Sequence, residues 1–176
     1  MAAQEIIFAG FGGQGTLSMG KFLAYAGMDA DMNVSWLPSY GPEMRGGTAN
    51  CSVILSDEPV GSPIINNPNT LIVMNRPSLD KFESTLVKGG LLILDSDLVD
   101  RMPTRDDVEV ICIPAQTEAL KLGSKQIANM VLLGALVKHT GIVSMEAITA
   151  ALKDHGKAKF FELNKNALEI GASYIK

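Results

Sequence analysis

The residues best suited to chemistry lie near the N-terminus, in a glycine-rich turn. Gly10, Gly12 and Gly15 form the pattern GxGxxG directly after the apolar, β-prone segment 5–9. At a strand-to-helix turn of this kind, backbone N–H groups and the dipole of the following helix can hold a phosphate group. The pattern therefore predicts a turn that contacts a phosphate or a partner chain. The alternative is a turn without a ligand, in which the glycines let the strand and the helix pack closely.

The second half of a dinucleotide site is missing. Such a site also needs an Asp or Glu at the end of the second strand, where it binds the ribose hydroxyl. The predicted second strand, 33–37, runs instead into Pro38-Ser39-Tyr40, and both Asp29 and Asp31 precede it. These carboxylates would lie at the wrong end of the strand. The sequence thus disfavours a bound nicotinamide or flavin dinucleotide.

A second candidate lies in the segment 38–47, where two prolines and three glycines exclude regular structure. This predicted loop carries Tyr40, Glu43 and Arg45. The planar guanidinium of Arg45 suits a carboxylate or a phosphate, and the two glycines that follow it let another backbone approach closely. An anionic cofactor or a partner chain would fit, whereas an exposed ion pair between Arg45 and Glu43 is the alternative.

No further catalytic set is apparent, and the sequence has only two cysteines, Cys51 and Cys112. Each lies in an apolar, strand-like run, which predicts two buried thiols. A [4Fe–4S] cluster needs four thiolates, so any such cluster must belong to another chain. There is also no GxSxG or HExxH motif. A self-contained active site is therefore not expected.

Composition excludes two classes of partner. The net charge is -4 and no basic tract is interleaved with aromatic residues, which argues against nucleic acid. The longest apolar stretch, 127–137, falls short of the about 20 residues that a membrane span requires. The N-terminal residues MAAQEIIFAGFGG show no export signal, so the expected location is cytoplasmic.

These candidate residues must be positioned by an α/β fold. Apolar, β-branched runs predict strands at 5–9, 33–37, 48–56, 71–74, 91–94 and 108–113. Helical periodicity follows the glycine turn and dominates the last third, at 115–122, 125–139, 144–155 and 159–173. We expect a three-layer, Rossmann-like, mixed but mainly parallel sheet with helices on its faces and a helical C-terminal third, formed as one domain over residues 1–176.

Two helices carry more apolar surface than one small core needs. The helix around 127–137 is apolar nearly all round, and the last helix has two apolar stripes, one beginning at Phe160 and the other at Phe161. Burial against other subunits would explain both, and ordinary packing within the chain is the alternative. The same faces would allow the isolated chain to form a homodimer.

Together, GFGGQG, the segment SYGPEMRGGTANC and the later SKQIANMVLLGALV resemble the gamma subunits of 2-oxoacid:ferredoxin oxidoreductases. The resemblance covers essentially the whole chain. The sequence of this loop is similar to that of the 2-oxoglutarate and branched-chain 2-oxoacid types, whereas pyruvate types tend towards GPERRGAP. Met44 and Gly47-Thr48 are the departures from the pyruvate pattern.

The resemblance implies a subunit of a complex that converts a 2-oxoacid, coenzyme A and oxidised ferredoxin into acyl-CoA, CO2 and reduced ferredoxin. Thiamine diphosphate with Mg would lie between alpha and beta subunits, and [4Fe–4S] clusters on beta and a ferredoxin-like delta subunit. This chain would hold no tightly bound cofactor and would have no catalytic residue. It would serve assembly and the access of coenzyme A.

The candidate residues for contact with coenzyme A or with another subunit are Gly10, Gly12, Gly13, Gln14, Gly15, Tyr40, Glu43, Arg45, Gly46 and Gly47. Two other functions stay open at this point: a scaffold or ligand-binding protein without catalysis, and an independent NAD-type dehydrogenase.

Overall fold

The computed structural model describes residues 3–40 and 48–176. Its strands are β1 (Gln4–Phe11), β2 (Asn33–Tyr40), β3 (Thr48–Ser56), β4 (Thr70–Val73), β5 (Leu91–Asp95) and β6 (Glu109–Ile113). Its α-helices are α1 (Thr16–Asp29), α2 (Arg76–Phe82), α3 (Ala115–Lys121), α4 (Ala128–Thr140), α5 (Met145–His155) and α6 (Phe161–Ser173). The predicted alternation of strands and helices, with a helical C-terminal third, is confirmed.

The six described strands form one mixed sheet in the order β2-β3-β1-β4-β5-β6. β3 runs antiparallel to both of its neighbours, β2 and β1, while β4, β5 and β6 continue parallel to β1. The carboxyl ends of β1, β2, β4, β5 and β6 therefore share one edge of the sheet with the beginning of β3. We call this edge the carboxyl edge.

Alternating side chains of the strands face two separate apolar clusters. Ile6 and Phe8 of β1 lie in the larger cluster with residues of α1, α3, α4, α5 and α6. Ile7 and Ala9 lie in the smaller cluster with Leu79 of α2. The helices thus form layers on both faces of the sheet, and the expected three-layer α/β arrangement is confirmed, with most helices on one face.

The apolar helix α4 is buried within the chain itself. All residues from Ala128 to Val137 are buried, because the sheet covers one side of α4 and α6 packs closely on another. Gly134 and Gly171 make this approach possible: a Cβ on Gly134 would lie 2.8 Å from Leu168 Cα, and a Cβ on Gly171 would lie 2.7 Å from the Val131 carbonyl carbon. Of the two explanations that the sequence leaves open for α4, packing within the chain is therefore the one that the structure shows.

The strand β2 is longer than its sequence suggests. Pro38 was expected to begin an irregular loop, but β2 continues through it to Tyr40, with Pro38 opposite Cys51. β2 lies at the edge of the sheet, and an edge strand tolerates proline because one side of its backbone has no strand to pair with.

No described helix is both long and apolar enough to cross a lipid bilayer.

Candidate functional site

The glycine turn lies at the carboxyl edge, between the end of β1 and the start of α1. Gly13 and Gly15 have φ angles of 91° and 77°, a left-handed conformation that residues with a Cβ rarely adopt. Gly13 is exposed, with no atom within 4 Å of a Cβ built on it. Glycine is thus required at both positions for backbone shape, and Gly13 leaves an open surface at the tip of the turn.

Asn129 ties the turn to the beginning of α4. Its Nδ2 donates to the Gly15 carbonyl oxygen at 3.2 Å, and its Oδ1 accepts from the Met130 N–H at 2.9 Å. A Cβ on Gly15 would lie 2.9 Å from Asn129 Cγ, so Gly15 is also needed for this close contact. The end of β1 and the start of α4 are therefore held together by two residues that are far apart in the sequence.

Gln14 folds back over the turn and fills the space between β1 and β4. Its Oε1 accepts from the Phe11 N–H at 2.6 Å, and its Nε2 donates to the Met74 carbonyl oxygen at 3.3 Å. A Cβ on Gly10 would lie 2.6 Å from Gln14 Oε1, so Gly10 makes room for this side chain. The N–H of Phe11 is thus occupied within the chain, as is that of Gln14, which donates to the Phe11 carbonyl oxygen at 3.2 Å, so neither is free for a phosphate.

The second predicted segment leaves the sheet at the same edge. Phe11 pairs with Thr48, and Gly10 and Tyr40 both pair with Ala49 from opposite sides. Tyr40 is therefore two strand spacings, about 10 Å, from the glycine turn. The other predicted residues of this segment, Glu43, Arg45, Gly46 and Gly47, lie outside the described residues.

The position of β3 distinguishes this sheet from the sheet of a dinucleotide-binding fold. In that fold, the strand that supplies the ribose carboxylate follows the first strand directly in a parallel pair. Here β3 lies between β1 and β2 and runs antiparallel to both. β3 is thus the strand that makes the sheet mixed, as the sequence predicted, and not wholly parallel.

A cleft opens beside the turn. It has a volume of about 330 Å³ and is lined by Gly13, Gln14, Leu98, Gln116, Lys125 and Gln126. The last four were not among the residues predicted from the sequence. Each follows a strand or begins a helix near the carboxyl edge, which is the only sequence signal that marked them. Lys125 supplies the one cationic side chain of this lining.

A buried carboxyl group lies at the same edge, at the end of β5. Asp95 is fully buried, and its Oδ1 accepts from the backbone N–H groups of Asp97 at 3.0 Å and Ala115 at 3.2 Å. Burial raises the pKa of Asp95 to about 6, and the negative charge of Asp97 adds a smaller increase. Through its hydrogen bond to Ala115, Asp95 fixes the start of α3, and the next residue of this helix, Gln116, lines the cleft.

The two cysteines have different environments. Cys51 is buried, its Sγ donates to the Thr16 carbonyl oxygen at 3.4 Å, and burial raises its pKa to about 12. Cys112 is exposed, so the prediction of two buried thiols was wrong for this residue. Its strand, β6, is an edge strand, and an edge strand has less cover than a central one.

The described part of the carboxyl edge carries groups that suit the binding of a ligand. Within residues 3–40 and 48–176, no group of three or more His, Cys, Asp or Glu side chains could hold a metal ion. The two sulfur atoms of Cys51 and Cys112 are too few for a [4Fe–4S] cluster, which takes four thiolates. What the turn and the cleft beside it offer is a shaped backbone, amide side chains and one ammonium group, which suit a polar or anionic ligand.

Comparison with known proteins gives a consistent result. A profile of the family described as Pyruvate ferredoxin/flavodoxin oxidoreductase matches residues 5–174. Ketoisovalerate oxidoreductase subunit VorA of Methanothermobacter thermautotrophicus is 40% identical over 98% of this chain. The 2-oxoglutarate synthase subunit KorC of the same organism is 36% identical, again over 98% of this chain.

This chain matches different shares of the lengths of the two relatives. The chain spans 36% of the length of VorA but 95% of KorC. A crystal structure of the gamma subunit of a keto/oxoacid ferredoxin oxidoreductase from Geobacter sulfurreducens superposes with a TM-score of 0.89 at 34% identity, covering 99% of this chain and 97% of that one. The family match extends over nearly all of the sequence, and the chain belongs to the pyruvate ferredoxin/flavodoxin oxidoreductase family.

Proposed function

We propose that this chain is the gamma component of a thiamine-dependent 2-oxoacid:ferredoxin oxidoreductase, folded as one domain over residues 1–176 and located in the cytoplasm. The complex would convert a 2-oxoacid, coenzyme A and oxidised ferredoxin into acyl-CoA, CO2 and reduced ferredoxin. The observation that carries this proposal is the similarity to KorC, which extends over 98% of this chain and 95% of KorC. A similarity of that extent favours an equivalent subunit in an equivalent complex.

The proposed substrate is 2-oxoglutarate or 2-oxoisovalerate. VorA, named for ketoisovalerate, is 40% identical to this chain, and KorC, named for 2-oxoglutarate, is 36% identical. The purified complex should therefore show a higher kcat/KM for one of these two acids than for pyruvate. A clear preference for pyruvate would contradict this assignment.

The proposed division of labour leaves electron transfer and decarboxylation to partners. Thiamine diphosphate and Mg would bind between alpha and beta subunits, and [4Fe–4S] clusters would lie on beta and on a ferredoxin-like delta subunit that passes electrons to ferredoxin. The cysteine content of this chain supports the second part, since two thiolates cannot ligate a [4Fe–4S] cluster.

For the carboxyl edge we propose a role in guiding coenzyme A. The proposed contacts are Gly12, Gly13 and Gln14 together with Arg45, and the cleft adds Lys125. Coenzyme A carries several phosphate charges, which a lysine ammonium and an arginine guanidinium can each contact. The remaining candidate residues, Gly10, Gly15, Tyr40, Glu43, Gly46 and Gly47, would shape this edge or contact another subunit.

The test is kinetic and uses the reconstituted complex. Arg45→Ala and Lys125→Ala are each expected to raise the KM for coenzyme A about tenfold, the equivalent of one lost charged contact, with little change in the KM for the 2-oxoacid. Lys88→Ala is the matched control, because Lys88 is exposed and precedes β5 at the opposite edge of the sheet. Unchanged coenzyme A kinetics and unchanged assembly in both variants would contradict this role.

A further inference from the structure

A groove on the outer surface of the helical layer lies between α5 and α6, away from the carboxyl-edge cleft. It has a volume of about 570 Å³. Half-buried Met145 and Phe161 belong to its apolar part, and four charged residues complete the lining with two small side chains: Glu146, Lys153, Lys165 and Glu169. Apolar side chains rimmed by charged ones are a common composition of protein–protein contact surfaces.

The charges along this groove are ordered. α5 ends at His155 and α6 begins at Phe161, so the two helices are joined at one end of the groove. On both helices the lysine lies nearer to this junction than the glutamate does: Lys153 follows Glu146 by about 10 Å along α5, and Lys165 precedes Glu169 by about 6 Å along α6. The junction end is therefore basic and the far end is acidic.

These four charges have no partners within the described chain. None of Glu146, Lys153, Lys165 and Glu169 makes a salt bridge to another residue of the ranges 3–40 and 48–176. Lys165 and Glu169 are four residues apart on α6, a spacing at which opposite charges can pair, yet no ion pair joins them. Glu146 and Lys153 lie about two turns apart on α5, beyond that spacing. Here the arrangement leaves two acids and two bases free to meet another molecule.

We propose that this groove is a self-complementary interface for a second copy of the chain. A two-fold axis through the middle of the groove would lay the basic end of one copy over the acidic end of the other, so that all four charges of each copy face opposite charges. Burial of Met145 and Phe161 from both copies would add the apolar part of the contact. This arrangement does not depend on the proposed enzymatic role.

The expected dimer is weak. Two helix faces offer less surface than the about 800 Å² that each partner buries in a standard interface. Exposed ion pairs also lose strength as salt screens them. We therefore expect association that rises with protein concentration and falls with ionic strength.

The test is a charge swap measured by sedimentation velocity on the full chain, over a concentration series that reaches the millimolar range. The variant E146K/E169K makes the groove wholly basic, and K153E/K165E makes it wholly acidic. Each variant alone is expected to dimerise at least about tenfold more weakly than the wild type, because every cross-interface pair becomes repulsive. An equimolar mixture of the two should form a heterodimer at least as well as the wild type forms a homodimer.

The matched control for E146K/E169K is E58K/D106K, which changes the net charge in the same direction and by the same amount at exposed sites away from the groove. It should dimerise like the wild type. Circular dichroism checks that each variant is folded, and the neutral pair E146Q/E169Q, with the salt dependence of the wild type, replaces any variant that is not. A wild type that stays monomeric throughout the series would overturn the proposal. So would a dimer that the groove substitutions leave unchanged, or variants that fail to associate with each other.

Discussion

The contact between the glycine turn and α4 can be tested by a double-mutant cycle on Gly15 and Asn129. Gly15 has a φ angle of 77°, which costs an alanine about 1–2 kcal/mol. A Cβ there would lie 2.9 Å from Asn129 Cγ and closer still to its Nδ2. The Asn129 side chain must then move and give up its two hydrogen bonds, each worth about 1 kcal/mol. Gly15→Ala should therefore lower the free energy of unfolding by about 3–4 kcal/mol.

The second arm of the cycle removes the side chain that is in the way. Asn129→Ala alone loses both hydrogen bonds and should cost about 2 kcal/mol. In the Gly15→Ala background these bonds are already broken, and the shorter side chain relieves the crowding. Asn129→Ala should then cost nothing further, which gives a coupling energy of about 2 kcal/mol.

The assay is urea unfolding of the isolated chain, followed by circular dichroism and analysed by linear extrapolation. Gly61→Ala is the control, since a Cβ on Gly61 meets no atom within 4 Å and its φ angle is not in the left-handed range. It should change stability by less than about 1 kcal/mol. If Asn129→Ala is equally destabilising in both backgrounds, to within about 0.5 kcal/mol, Gly15 and Asn129 are not coupled as described.

Three further predictions concern the core, the buried acid and the thiols. Gly171→Ala should cost at least about 3 kcal/mol in urea unfolding, because the new Cβ meets the backbone of α4, whereas Gly61→Ala should be nearly neutral; a loss below about 1 kcal/mol would contradict the close approach of α4 and α6. Folding raises the pKa of Asp95 from 3.8 to about 6. The folded protein therefore binds a proton at Asp95 more tightly than the unfolded chain does, and this proton stabilises the fold fully below about pH 4. The stabilisation is lost as the pH rises through about 6. Between about pH 4 and about pH 8, the wild type should thus lose about 2–3 kcal/mol relative to Asp95→Asn; parallel pH profiles would contradict this. Iodoacetamide should label Cys112 in the folded chain and Cys51 only after unfolding, as measured by mass spectrometry; equal labelling rates would show that Cys51 is accessible.

Local sequence signals predicted the strands and helices well where burial decides the pattern. The segment Thr48–Ser56 is a strand with the predicted bounds. Its alternating side chains are buried in the apolar core, which produces the pattern that was read from the sequence. Pro38 misled the prediction, since proline ends a strand only where its missing N–H is needed, and an edge strand does not need it. Whether a strand lies at the edge is a property of the whole sheet, which local sequence does not contain.

The site was only partly predictable for the same reason. The glycine turn has a local signature, and its position before α1 was predicted correctly. Its contact with Asn129 joins residues more than a hundred positions apart, and no local pattern marks such a pair. The apolar surface of α4 was equally ambiguous, because a helix that is apolar all round can be buried by its own chain or by a partner. Gly134 and Gly171 decide in favour of the former, through the close packing of α6.

The most direct test of the central proposal is reconstitution with the alpha, beta and delta chains encoded in the same organism. The measurement is the reduction of ferredoxin that depends on both a 2-oxoacid and coenzyme A, with this chain present and with it omitted. We predict turnover by the complete set and its loss on omission, with no reduction of NAD by the isolated chain. Full coenzyme A-dependent turnover without this chain would contradict the proposed role.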